Sequence, residues 1–167
     1  MDPPKEIVSK IIQNLAKVDV ETLETHQVIS LLKHVIRAQS LGLLDKIETE
    51  LASRVPELTN FESSLICRTL TQHNQSENNR VEFQLFMSEF EPICKVNIQA
   101  FDIGGFLSIF CAFLSSAICP PDLYKQFVFE LQHRRLLQMN IDDMLLLLMF
   151  NSTCTNNLVE IPSKDRL

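Results

Sequence analysis

FDIGGFLSIF, Phe101 to Phe110, has three counterparts in the chain: LETHQVISLL (Leu23 to Leu32), FESSLICRTL (Phe61 to Leu70) and IDDMLLLLMF (Ile141 to Phe150). Each opens with an apolar-acidic pair and places apolar residues five, six and nine positions after the first, the stripe of one helix face. Their starts, Leu23, Phe61, Phe101 and Ile141, are almost evenly spaced. A second helical stripe runs between them and ends in an acidic-apolar pair. It reads Leu44, Ile47, Glu50-Leu51, then Phe83, Phe86, Glu89-Phe90, then Tyr124, Phe127, Glu130-Leu131. A fixed period with two helical stripes in each repeat is the mark of stacked helix pairs.

The segments before these helices repeat as well. Lys17-Val18-Asp19-Val20-Glu21 and Lys95-Val96-Asn97-Ile98-Gln99 match in residue type two periods apart, and Ser30 and Ser108 coincide inside the helices that follow. The predicted fold is therefore all-α, an α-solenoid of about three helical hairpins, each of roughly 40 residues, with a half-hairpin at each end. Val8, Ile11 and Leu15 form the opening trailing helix, and the segment from Asn140 to Phe150 forms the closing leading helix. Residues 1–155 make the repeat domain and 156–167 an extended polar tail.

Boundaries follow from local signals. Pair one spans roughly 20 to 54 and stops at Pro56. Pair two starts near Thr59, where Thr59 and Glu62 have capping-box spacing. Its interhelix loop, His73 to Asn79, is polar. Pair three runs from about Asn97 to Gln138, with Pro120-Pro121 at the first turn of its second helix. The acids Glu24, Glu62, Asp102 and Asp142 sit where the positive end of a helix dipole favours a carboxylate. Glu50, Glu89 and Glu130 lie late in their helices, where that argument fails, and a bond to another repeat is expected to hold them.

With 46% hydrophobic residues and only three glycines in 167, the chain has enough material for a sizeable core and few glycine turns for a sheet. The net charge is −6, which disfavours a nucleic-acid surface built on counterion release. Two basic clusters stand out: His133, Arg134 and Arg135 as candidate phosphate contacts, and a looser Lys33, His34 and Arg37 on the first leading helix. The five cysteines, with no CxxC spacing, point to a reducing compartment and against a disulfide framework or a zinc site.

Ile103 to Cys119 is uncharged, with a small residue at every fourth position, Gly104, Ser108, Ala112 and Ser116. The pattern has two readings. A central solenoid helix covered by its neighbours is one, and a short membrane span of a respiratory-complex subunit is the other. Catalysis has little to stand on: Asp142 and Asp143 are adjacent rather than on one face, the four histidines are scattered, and no phosphate-cradling glycine loop, HExxH or nucleophile elbow occurs. No cofactor or metal is expected. The terminal helix Met144 to Phe150 is apolar around its circumference, so Met144, Leu145, Leu148 and Met149 are predicted to meet a partner protein.

Helix pairs at this period, with Leu- and Phe-rich leading helices and trailing helices ending in the acidic-apolar pair, resemble the heptatricopeptide and octotricopeptide class of organellar repeats, including those beside RAP domains in FAST kinase-like proteins. The resemblance covers residues 5 to 150. It implies mitochondrial placement and work in organellar RNA metabolism, or a structural place in a mitochondrial ribosome. This chain is acidic, short and without a RAP domain, which favours a docked protein subunit over a reader of RNA sequence. Asp2, Glu6 and the lack of arginine make the N-terminus a poor transit peptide.

Overall fold

The computed structural model describes residues 14, 17–38, 40–74, 83–116 and 119–134. Among them all regular structure is helical. Six α-helices follow in order: α1 (Thr25–Ala38), α2 (Leu41–Ser53), α3 (Asn60–Asn74), α4 (Gln84–Asn97), α5 (Ile103–Ser115) and α6 (Pro121–His133). Short 3-10 turns at Val20–Thr22 and Val55–Glu57 precede α1 and follow α2. The closing segment with Met144, Leu145, Leu148 and Met149, the opening half-hairpin and the 156–167 tail lie outside the described residues.

Packing runs along two layers. Leading helices α1, α3 and α5 stack on one another, and trailing helices α2, α4 and α6 do the same, while α1 also packs on α2. Each helix thus touches the helix one repeat away, as a solenoid requires. The stripe residues fill the space between layers: Val28, Ile29 and Leu32, then Ile66, Cys67 and Leu70, then Phe106, Leu107 and Phe110 are all buried. Leu44, Ile47, Leu51, Phe86, Phe90 and Phe127 meet them from the trailing side. Phenylalanine dominates the third hairpin, where Phe110 stacks on Phe127 at 4.4 Å between centroids and Phe106 meets it edge-on at 5.4 Å. Offset and edge contacts of this kind add to the area term.

The helix starts carry the expected caps. Thr59 and Glu62 form the reciprocal box: the Thr59 amide donates to Glu62 Oε2 at 2.9 Å, and the Glu62 amide donates to Thr59 Oγ1 at 3.2 Å. Asp102 lies just outside α5, where its Oδ1 accepts from the Gly105 amide at 2.6 Å. At α1, Glu24 supplies the carbonyl for the Val28 amide, while its own amide donates to Gln27 Oε1 at 3.0 Å. Pro121 occupies the first turn of α6, where a missing amide costs nothing.

Helix α5 settles its two sequence readings. At 13 residues it is about 20 Å long, short of the roughly 30 Å of a bilayer core. No helix among the described residues is long and apolar enough to cross a membrane. Its apolarity follows from position instead, since every residue from Gly105 to Phe113 is buried. Of the every-fourth small residues Ser108 lies on the seam with α3, joined there by Gly105 from outside that stripe, and α3 packs on α5 more tightly than on α1. A Cβ on Gly105 would collide with the Ser64 hydroxyl of α3. Across the same seam the Thr71 hydroxyl donates to the Ser108 carbonyl at 3.4 Å, and Arg68 Nε donates to Ser108 Oγ at 3.4 Å.

Candidate functional site

Three clefts are lined by described residues, and two of them occupy equivalent positions in the repeat. One lies between the Val20–Thr22 turn and α2, with a volume of about 300 Å³. Another lies between the end of α4 and α6, with a volume of about 580 Å³. Their linings correspond through the repeat: Val20 with Ile98, Glu21 with Gln99, Asp45 with Lys125, Lys46 with Gln126, Thr49 with Phe129, Glu50 with Glu130. The repeat positions are shared and the chemistry is not. Asp19, Glu21, Asp45 and Glu50 make the first cleft acidic, whereas the third-hairpin cleft holds Lys95, Lys125 and a Phe129 that is 57% exposed.

Glu50 and Glu130, unexplained by the dipole, belong to a clasp that occurs in the first hairpin and again in the third. Arg54, four residues after Glu50, bonds its carboxylate through Nε at 2.6 Å and reaches back to the start of its own hairpin. There it donates to Thr25 Oγ1 at 3.3 Å and to the Glu21 carbonyl at 3.4 Å. Arg134, four residues after Glu130, donates to the Phe101 and Ile98 carbonyls at 2.6 Å each and lies over the Phe106 ring at 4.3 Å. Glu21 corresponds in the repeat to Gln99 and Phe101 to Leu23, so the two arginines reach the same short segment before a leading helix without sharing one acceptor position. Glu130 Oε1 also accepts from Gln99 Nε2 at 2.9 Å. Glu50 bonds its arginine directly, within its own hairpin rather than across to another repeat, and Glu130 lies 4.0 Å from Arg134 Nε, so each acid stands beside an arginine that ties the end of a hairpin to its beginning. Glu89, exposed and followed four residues later by Ile93, has no such arginine, and nothing among the described residues explains it.

That geometry bears on the basic cluster near the end of α6. The Arg134 side chain is only 15% exposed, and its terminal nitrogens are engaged by carbonyls. Burial pulls its guanidinium below the ordinary value, opposed by the charges of Glu130 and Asp102. His133 is exposed, with Nδ1 2.7 Å from the Phe129 carbonyl and its ring 4.1 Å from that of Phe129. Arg135 lies outside the described residues. The structure thus turns Arg134 inward and leaves His133 on the surface.

Trailing helices are also tied across hairpins. Glu48 of α2 accepts from the Leu85 amide at 2.7 Å and the Phe86 amide at 3.4 Å, so its carboxylate sits at the start of α4. Desolvation raises its pKa above the usual carboxylate value against those amides, with Asp45 adding to the rise. Lys95 of α4 bridges Glu91 at 2.7 Å and Asp122 of α6 at 2.6 Å. Cys67 and Cys94 are buried: burial pushes Cys67 up and Cys94 up to about 12, so neither is a ready thiolate. No group of three or more His, Cys, Asp or Glu among the described residues is placed to hold a metal ion.

The third cleft runs between α1 and α3 with a volume of about 490 Å³, bordered by His26, Ser30 and Lys33 on one side and Phe61, Leu65 and Thr69 on the other. Phe61 is 74% exposed there, although Phe101, its equivalent one repeat on, is 4% exposed. In the sequence Phe61 stands only as a helix-start marker. Aligning it with Phe101 does not by itself show which of the two lies in solvent. Fold and surface together define an all-helical, solenoid-like protein with open clefts between its helices. Comparison with known proteins goes no further, since no family model, curated protein or solved structure matches the chain.

Proposed function

We propose that this chain is a non-catalytic helical-repeat scaffold, a structural subunit of a large mitochondrial ribonucleoprotein assembly of the ribosomal kind. One observation carries the scaffold reading: Phe61 is exposed at a position whose repeat equivalent is buried, and it stands with Leu65 on an open groove. An aromatic kept in water at a core-type position fits a surface that another protein covers. Val96 (84% exposed) and Phe129, both on the cleft between α4 and α6, mark a second such surface. The mitochondrial ribonucleoprotein setting is supported by the likeness of the repeat spacing to organellar repeat proteins.

The test is sedimentation of the endogenously tagged chain from gently lysed cells and from isolated mitochondria. Co-sedimentation with ribosomal subunits, persisting through a second affinity step, is expected. Migration as a 19.2 kDa monomer would dismiss the reading.

Direct RNA binding is the second reading, and the exposed Lys33, His34 and Arg37 of α1 favour it. Titration with single-stranded RNA at several salt concentrations separates the two. Affinity that falls steeply with salt supports phosphate contacts, and a flat response removes them.

A further inference from the structure

We propose that the groove between α1 and α3 docks an acidic amphipathic helix of a partner protein. The proposal rests on the scaffold reading and adds the place and chemistry of one contact.

The groove exists because one pair of facing residues is large where the next repeat has a small pair. At the α3–α5 seam, Ser64 faces Gly105 and the helices close on each other. At the α1–α3 seam the equivalent residues, one repeat earlier, are His26 and Leu65, and both line the open groove. Leu65 remains 38% exposed. With these bulkier residues in the place of Ser64 and Gly105, α1 and α3 pack less closely than α3 and α5, and the space between them is bordered rather than filled.

Its two walls differ in character. On α1, His26, Ser30, Lys33 and Arg37 fall at successive turns of one face, and all four are exposed. Helix α1 contains no acidic residue, in a chain whose net charge is −6. His26 lies 3.3 Å from Glu24, which leaves Lys33 and Arg37 as the full positive charges of the stripe. On α3 the wall is Phe61, Leu65 and Thr69, one turn apart. The one acid at the groove, Glu62, is turned to its own helix start, where it accepts from the Thr59 amide and hydroxyl at 2.9 and 2.7 Å.

An apolar wall opposite a basic wall, each running along a helix, suits a helix with leucine-type anchors on one face and carboxylates on its flank. RNA fits less well. Two full charges give a salt slope of only about −1.4 on single strands, too little to hold an RNA to an acidic protein without further contacts.

The test uses the full chain and two synthetic helical peptides with the same leucine stripe, one flanked by glutamates and one by lysines. Fluorescence anisotropy reads affinity, and amide chemical shifts read the site. The glutamate peptide is expected to bind about tenfold or more tighter than the lysine peptide, with shifts at Phe61, Leu65 and Lys33. Lys33→Glu with Arg37→Glu should reverse that order. Phe61→Ala should weaken the glutamate peptide about tenfold while leaving the melting temperature unchanged.

Equal binding of both peptides, no binding, an unchanged order after charge reversal, displacement by an oligouridylate, or self-association through Phe61 would each overturn the proposal. In cells, the groove variants separate the two levels. If they still co-sediment with the assembly, the groove proposal falls and the scaffold reading stands; if the wild-type chain sediments alone, the scaffold reading itself falls.

Discussion

Replacing Arg134 with alanine should destabilise the fold by about 3 kcal/mol. The guanidinium donates two hydrogen bonds at 2.6 Å to the Phe101 and Ile98 carbonyls, and bonds to a charged donor contribute about 1.5 to 3 kcal/mol each. Its position over Phe106 adds about 1 kcal/mol. Freeing the side chain returns up to about 2 kcal/mol of rotamer entropy, which brings the net near 3. For a domain of this size that lowers Tm by about 6 to 12 °C.

Arg54 reaches back through longer bonds of 3.3 and 3.4 Å but also holds the Glu50 carboxylate through Nε at 2.6 Å, so Arg54→Ala should cost a comparable amount, about 2 to 3 kcal/mol. Arg134→Lys should retain the charge but lose the fork that reaches two carbonyls, and fall between wild type and alanine. Urea denaturation with a constant m-value is the assay. A loss under about 0.5 kcal/mol for either alanine variant would refute the clasp. Lost RNA affinity at unchanged stability would return Arg134 to a phosphate-binding role.

Phe101→Ala should cost about 3 to 5 kcal/mol because the ring is buried beside Phe90, whereas Phe61→Ala should change stability by less than about 0.5 kcal/mol; parallel thermal melts check the pair. Glu48 has a raised folded-state pKa, so the folded chain holds its proton more tightly than the unfolded one. Its contribution to stability therefore falls as pH rises from the usual carboxylate value of 4.5 towards the folded value. Glu48→Gln keeps an oxygen for the Leu85 amide, and its stability relative to wild type should improve between pH 4 and pH 7, measured by melts at the two pH values. Cys67 and Cys94 should resist iodoacetamide at pH 8 in the native chain and react in urea, as read by peptide mass; native labelling of either would contradict their burial.

The period, the two stripes and the caps were legible in the sequence because each depends on spacing along a single helix. Thr59 with Glu62 and Asp102 before Gly105 are local pairs, and local geometry follows from residue order. The arginine clasp was harder to see because its acceptors are backbone carbonyls, which no residue type announces. Its one sequence signal is the glutamate-arginine spacing of four at Glu50-Arg54 and again at Glu130-Arg134. The groove lay further out of reach, since it depends on which residues face each other across a seam. His26 opposite Leu65 and Ser64 opposite Gly105 become comparable only once α1, α3 and α5 are known to stack in one layer.

That contrast gives a rule for reading degenerate repeats. A solenoid needs only that each helix pair bury its stripe on the next, and Ser64 with Gly105 shows how closely this chain can pack a seam. At the preceding seam His26 and Leu65 stand in their place and Phe61 lies in water, a local loss of stability with no return inside the fold. Such a loss is the expected mark of a surface kept for something outside it. The cleft pair argues the same way, since Thr49 in one copy and Phe129 in the other share a backbone position and differ in what they present to solvent. Function in this chain is therefore best sought where consecutive hairpins disagree, at Phe61, Leu65 and Phe129, rather than where they match.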